Sequence, residues 1–351
     1  MSNGNFAGGD GTASNPYLIE DADDLNAVRN NLSASYKLIK DVDLNISPYN
    51  EGEGWTPIGD TTNNRFTGVF DGNGHIIKNL FINRTGIAYQ GLFGCINNAN
   101  IQSIKVENVN INTNNNYIGG LIGITQGTSV VSNCCSMGIV KGSTYVGGLV
   151  GYSAGTVSNS YTTCTVNGSS SLGGLIGTLN QVTLKNCYSS GVISANAGFG
   201  GLIGGTGSVT STIIHSYWDT NTSGTGTSRG GTGLTTAQME TPSSFVGWDT
   251  EVLEDGVTKV WILKDGEYPK LWFEKPHSKF LIKQSNEYYS VQNNTLTKLG
   301  TPTDDTQLEQ WFNDYGVDDL NTALLTPDAN GNKLINSLDD QFQIRMMKFK
   351  Q

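Results

Sequence analysis

Hydrolysis of a glycosidic bond needs two carboxyl groups roughly 5–10 Å apart, one protonating the leaving oxygen while the other attacks or activates water. Between Gly91 and Gly204 the sequence offers a single carboxylate, Glu107. A surface built from that stretch cannot host such a pair, and a hydrolytic site would have to draw on flanking groups such as Asp71 or Asp219. The stretch also lacks the acidic cluster that an oxygen-ligated calcium ion requires. The three histidines, His75, His215 and His277, are followed by Ile, Ser and Ser, so no HExxH zinc motif exists. The five cysteines (Cys95, Cys134, Cys135, Cys164, Cys187) form no CxxC pair, and two of them are adjacent. They are expected to be buried thiols acting as small apolar residues. Gly205-Thr206-Gly207 and Gly224-Thr225-Gly226 lack the Lys-Ser/Thr that completes a phosphate loop and read as turns. The threonines keep no fixed position, as a flat ice-binding face would demand. No catalytic residue, metal or cofactor is expected.

What remains is aromatic chemistry. Tyr117 and Tyr145 each stand three residues before a tetrad of the form Gly-Leu-Ile/Val-Gly, so they should be neighbours if the tetrads stack. Aromatics exposed at such a position would make a ladder for a carbohydrate or protein ligand; the bland alternative is that they cover the shoulder of the structure. Tyr161, Tyr188 and Tyr217 also align and suggest a stacked, half-buried row. Trp218 and Asp219 lie where the pattern loosens and are further candidate ligand contacts.

The elements that must position these residues are repeats. The tetrads begin at Gly91, Gly120, Gly148, Gly174 and Gly201, spaced 29, 28, 26 and 27 residues apart, and close at Gly94, Gly123, Gly151, Gly177 and Gly204. A second row follows the last four: Asn133-Cys134-Cys135-Ser136, Asn159-Ser160-Tyr161-Thr162, Asn186-Cys187-Tyr188-Ser189 and His215-Ser216-Tyr217-Trp218. A period near 27 with no helical rhythm fits one coil of an all-β parallel solenoid, each coil hiding its apolar side only by stacking. The longer, irregular coils favour a right-handed β-helix, with a left-handed one left open. The tetrad glycines would serve either where a Cβ would clash or where φ must be positive. Residues 21–29 read as a short capping helix, and 66–77 as a strand, a tight Asp-Gly turn and a second strand. The aromatics of 245–248, 260–263 and 268–273 should close the far end. A composition shift near Pro276 divides a solenoid, 1–276, from a small α+β module, 277–351, with a hairpin around 285–286 and helices over 304–312 and 332–349.

Composition agrees. Charged residues are 15% of the chain, against roughly 25% in ordinary domains, and 45 glycines suit turns better than helices. A net charge of −10 with no basic stripe excludes nucleic acid as a partner and disfavours anionic lipid. No run of 18 apolar residues predicts a membrane span, and residues 1–11 do not read as a secretory signal.

With these tetrads, the opening Gly11-Thr12-Ala13-Ser14-Asn15-Pro16-Tyr17-Leu18-Ile19, the Phe70-Asp71-Gly72-Asn73-Gly74-His75 turn and the closing Gly230-Gly231-Thr232-Gly233-Leu234-Thr235, the chain resembles the GLUG-motif repeat family over about residues 8–275. That family occurs in bacterial surface proteins, adhesins and virion-associated proteins, and some members join the repeats to a zinc peptidase that cleaves immunoglobulin; the peptidase motif is absent here. The tail, 277–351, is similar to C-terminal modules of phage structural proteins from Gram-positive hosts. The resemblance implies a non-enzymatic phage fibre, whisker or tail-associated protein. It would contact a host-surface glycan or protein and join other virion proteins through 277–351, with a homotrimer as the default assembly. A secreted bacterial adhesin and a tailspike-like depolymerase are the alternatives.

Overall fold

The computed structural model describes residues 5–195, 198–207, 210–248, 260–274, 280–284, 287–292, 295–308, 311, 333–336 and 343–346. The chain divides into two compact units, Met1–Phe273 and Glu274–Gln351.

The first unit is a parallel β-solenoid. One wall rises through eight levels: Tyr17–Ile19, Ser35–Leu38, Val69–Asp71, Asn100–Asn112, Val130–Lys141, Thr156–Ser158, Thr183–Lys185 and Thr212–Ile214, each bonded in parallel to the next. A second wall stacks the tetrad strands Phe93–Asn97, Ile122–Gln126, Val150–Ser153, Ile176–Leu179 and Ile203–Thr206. A third stacks Ile118–Gly119, Thr144–Gly147, Ser170–Gly173 and Phe199–Gly200. Inside, the tetrad leucines (Leu92, Leu121, Leu149, Leu175, Leu202) and the residues after them are fully buried. Each contributes about 1.5–3 kcal/mol, but only because the coils above and below cover it.

The ten tetrad glycines answer the question their sequence left open. None has a positive φ; they are glycine because of close approach. A Cβ on Gly120, Gly148 or Gly174 would lie 2.3, 2.4 or 2.1 Å from the carbonyl oxygen of the matching glycine one level on. A Cβ on Gly123, Gly151 or Gly177 would meet the matching glycine oxygen one level back at 2.7, 2.6 or 2.4 Å. The first glycine of each of the last four tetrads also faces the second motif: Gly120 lies against Ser136, Gly148 against Thr162, Gly174 against Ser189 and Gly201 against Trp218. Ser136 Oγ donates to Gly148 O at 2.8 Å and Ser189 Oγ to Gly201 O at 2.6 Å. The two motifs therefore keep register because they touch across the coil interior.

Left-handed backbone is concentrated at the corners. Asn133, Asn159, Asn186 and His215, the first residues of the second motif, have φ of 54°, 47°, 53° and 42°, a conformation that Asn tolerates better than most residues. The residues that follow alternate. Cys134, Ser160, Cys187 and Ser216 form one row; Cys135, Tyr161, Tyr188 and Tyr217 the next, in register from level to level.

The short N-terminal helix spans Ala22–Ala27; Asp21 caps it by accepting from the amides of Asp23 and Asp24, and Ala22, Leu25 and Val28 join the solenoid core. Around residue 72 the structure corrects the expectation of a tight turn between paired strands. Val69–Asp71 and Ile76–Lys78 both pair in parallel with Asn100–Asn112, so they are successive walls of one coil, and Gly72 and Gly74 donate to Gln102 O and Ser103 O of the next level.

The aromatics of 245–273 correct a second expectation. Rather than closing the end, Phe245, Trp248, Trp261, Leu271 and Phe273 cluster with Tyr161, Tyr188 and Tyr217 on the outside of the wall. Phe273 reaches back to Gly74, where an added Cβ would lie 2.8 Å from its own Cβ. This segment is a strap along the flank. Trp218 occupies the interior between Gly201 and Gly233 instead.

In the second unit, Phe280–Gln284, Glu287–Gln292 and Thr295–Gly300 form an antiparallel meander, including the expected hairpin. Residues 305–308 are helical, with Asp304 accepting from the Gln307 amide at 2.8 Å. The helix expected over 332–349 is corrected: Lys333–Asn336 and Gln343–Met346 pair as antiparallel strands, with Ile335 opposite Ile344. β-Branched residues favour that pairing, and Leu338 and Phe342, whose spacing suggested a helix, lie outside the described residues.

Gly148→Ala should lower the unfolding free energy by about 2–4 kcal/mol, read by denaturant titration. Gly226→Ala, where no atom lies within 4 Å of the added Cβ, should change it by less than about 0.5 kcal/mol.

Candidate functional site

Tyr117 and Tyr145 are brought together as their spacing suggested, and the row is longer than they imply. Tyr89, Tyr117 and Tyr145 stack with ring centroids 5.1 and 4.8 Å apart and planes 25° from parallel. Tyr152, on the adjoining tetrad strand, meets Tyr117 and Tyr145 edge-on, at 5.9 Å from each. All four are half-buried. Tyr89 stands two residues before its tetrad rather than three; the link from corner to tetrad is one residue shorter there, since Gln90 pairs with Ile118 and Phe93 with Ile122. Tyr152 follows its tetrad in a row with Cys95, Ile124 and Thr178, where no aromatic repeat marks it.

The backbone beneath this ladder is unusual. Tyr89, Tyr117 and Tyr145 have φ of 63°, 64° and 58°, and the same corner continues as Ser171 at 52° and Gly198 at 64°. A bulky L-residue in this region costs about 1–2 kcal/mol. Burial and the neighbouring phenols push the Tyr117 hydroxyl above its ordinary value, and burial with Tyr145 does the same for Tyr152. Both hydroxyls therefore stay protonated at neutral pH and can donate hydrogen bonds.

Trp218 and Asp219 are not part of this surface, which corrects their candidacy. Trp218 is 6% exposed and its Nε1 donates to Thr225 O. Asp219 is fully buried: one carboxylate oxygen accepts from the amides of Asn221 and Thr222, and the other from Thr236 Oγ1 at 2.7 Å and the Tyr268 hydroxyl at 2.5 Å. It ties the strap to the last full coil. Burial and Asp219 together push Tyr268 far above the ordinary phenol value.

The second tyrosine row is sealed. Tyr161 and Tyr188 stack at 4.7 Å with planes 3° apart, and with Tyr217 all three are buried under the strap. The Tyr188 hydroxyl donates to Pro269 O and Trp248 Nε1 to His215 O. Of the two ladders, only the Tyr89–Tyr145 row faces solvent.

Among the described residues, the carboxylates named from the sequence stand apart along the repeats. Glu107 is ion-paired with Lys105 at 2.7 Å. Asp71 pairs in register with Gln102, five levels below Ile214 on the wall that leads to Asp219, which separates the two flanking carboxylates by on the order of 24 Å along the axis. A cleft of about 430 Å³ lies at the N-terminal end between Asn26, Tyr49, Glu51, Glu53 and Arg84. Its charges answer one another: Arg84 holds Glu53 at 2.8 Å and the oxygens of Gly54, Trp55 and Thr56, and Glu51 accepts from Ser47. No group of three metal-ligating side chains occurs among the described residues.

All five cysteines are buried and unbridged. Burial pushes the thiols of Cys95, Cys134 and Cys187 up to about 12 and Cys164 to about 11, so none of these four forms a thiolate nucleophile near neutrality. A chromogenic disulfide reagent at pH 8 should find no reactive thiol in the folded protein and all five once guanidinium unfolds it.

No family model matches the sequence. Two curated proteins share parts of it: Halomucin of Haloquadratum walsbyi, 37% identical over 141 residues, and a "Putative Gly-rich membrane protein" of Evansella cellulosilytica, 53% identical over 93 residues. The matches cover 38% and 26% of this chain but only 2% and 11% of those much longer proteins. Among solved structures, the crystal structure of "a putative immunoglobulin A1 protease from Bacteroides ovatus" superposes with a TM-score of 0.54 over 78% of this chain and 98% of its own, at 18% identity. That likeness is one of fold: both are β-helices.

Proposed function

We propose that this chain is a non-catalytic binding solenoid displayed on a surface, gripping a cell-surface glycan with the Tyr89–Tyr117–Tyr145 corner and Tyr152. The observation that carries this reading is the occupancy of the left-handed corner. Most other left-handed corners of the solenoid use Asn, as at Asn79, Asn108, Asn133, Asn159 and Asn186, with the smaller or unbranched Ser103 and Gln181 and with His215 as exceptions. Three consecutive coils set Tyr there instead, at a backbone cost, and leave the rings half in solvent. Strain retained at a surface position supports a function for the side chain it presents. The rings sit on hydrogen-bonded walls, so little conformational entropy is lost when a ligand docks.

The same observations support binding rather than turnover. The ladder has no carboxylate beside it, and the buried Asp219 is occupied by four hydrogen bonds. The relatives support display outside the cell: one is named Halomucin and the other a membrane protein, and each is far longer than the shared segment. The GLUG-type pattern agrees with an adhesin. Placement on a phage virion, with 277–351 as attachment or trimerisation module, is the finer form of the proposal and rests on the tail's resemblance to phage modules.

Purified protein should bind host cells, and Tyr117→Ala/Tyr145→Ala should bind at least tenfold less while keeping a cooperative thermal transition. Wall polysaccharide incubated with the protein should release no reducing ends; their release would overturn the non-catalytic reading. Antibody to 277–351 should label purified virions if the finer form holds, and the cell envelope if the adhesin form does.

A further inference from the structure

We propose that the broken end of the tyrosine ladder, where Tyr145 is succeeded by Ser171 and Gly198, is a seat for one ring of an uncharged glycan. This inference rests on the binding reading above and assigns its position and ligand chemistry.

Rings that stack face to face hide their faces from any ligand and offer only edges and hydroxyls. Tyr117 is covered on both sides, by Tyr89 and by Tyr145. Tyr145 has a ring on one face only among the described residues. On its other side the row continues with the same backbone twist but with a hydroxymethyl group at Ser171 and no side chain at Gly198. The adjoining row falls away in the same direction, from Tyr152 to Thr178 to Gly205. Two large rings thus give way to small residues within two levels, about 10 Å along the axis. This leaves the outer face of Tyr145 beside the half-buried Ser171 and the exposed Gly198, where the axial C–H groups of a sugar ring would pack on the aromatic face.

The polar groups at this seat match hydroxyls. Tyr152 has the side-chain amide of Asn180 as a hydrogen-bond partner, and its half-buried hydroxyl can donate to a glycan oxygen. Ser171 Oγ lies 3.5 Å from the point where Gly205 would carry a Cβ, facing the same space.

Charge selects the class of ligand. Residues 85–98, 113–128, 142–155, 167–181 and 194–207, which form the tetrad strands and their tyrosine corners, contain no Asp, Glu, Lys or Arg. An anionic polymer would find no cation here and would be repelled by a chain of net charge −10. A basic peptide would find no carboxylate. A neutral hexose polymer needs neither, and aromatic faces with amides and hydroxyls are the groups that recognise it.

The shared left-handed geometry supplies the test. Ser171 has the φ of the ladder positions, so Ser171→Tyr should extend the stack onto Tyr145, keep or raise the melting temperature and fill the seat. In affinity electrophoresis through gels containing mannan, dextran, starch or xylan, with pectate as the anionic control, the wild type should be retarded by at least one neutral polymer and not by pectate. Ser171→Tyr should weaken that retardation at least tenfold. Gly198→Asn, a residue that accepts this backbone, should also weaken it, and Ser171→Gly should preserve it. Ser171→Tyr binding as tightly as wild type would overturn the proposal by placing the ligand on the ring edges. Retardation by pectate alone, or by no polymer while cells are still bound, would overturn the seat and leave the adhesion reading standing. Loss of cell binding by the wild type would remove both.

Discussion

The central coils of this solenoid depend on one contact: a glycine backbone pressed against the next glycine along the axis and against a small hydroxyl side chain across the lumen. With Gly120, Gly148 and Gly174 each 2.1–2.4 Å from a carbonyl oxygen in the place a Cβ would take, no other residue fits without moving a wall. Ser136 and Ser189 then use the exposed glycine carbonyls as acceptors, which satisfies polar groups that would otherwise be buried unpaired. The leucines can fill the interior only because this contact sets the distance between walls. Where the hydroxyl gives way to Trp218, the lumen is filled by an indole and the tetrads cease.

A wall fixed in this way repeats whatever stands on it. Two rows of tyrosine result, one on the outward side of the second motif and one at the corner before the tetrads. Chemically they are alike, and their fates differ because of what else the chain brings to them. The strap of Phe245, Trp248 and Trp261 lies over Tyr161, Tyr188 and Tyr217, held by Tyr188 to Pro269 O and by Asp219 to Tyr268. Among the described residues the other row receives no such cover, and its rings stay half in solvent. The sealed ladder stabilises the unit; the open one offers it a surface.

The comparisons fit a module that is used in pieces. Relatives share 93 or 141 residues within far longer chains, the pattern expected when stacked coils contact only their neighbours and tolerate change in number. A β-helix of 18% identity superposes over most of the chain, since the walls follow from backbone pairing and the outward residues are free to diverge.

Much of this was legible in the residues and some was not. The period of 26–29 and the Gly-Leu-Ile-Gly tetrads determined the stacked coils, because every buried side chain recurs at a fixed place in a short repeat. Tyr117 and Tyr145 were found by the same rule. Tyr89 was hidden by a link to its tetrad one residue shorter than in the next two coils, Tyr152 by having no aromatic partner in its row, and both were joined to the ladder only by the fold. The strap and the strands at 333–336 and 343–346 were misread because they are not repeated, so their partners lie far away in sequence and local pattern carries no record of them. Whether an aromatic row becomes core or surface is likewise absent from local sequence: it depends on which distant segment comes to rest on it, and only the tertiary structure decided that.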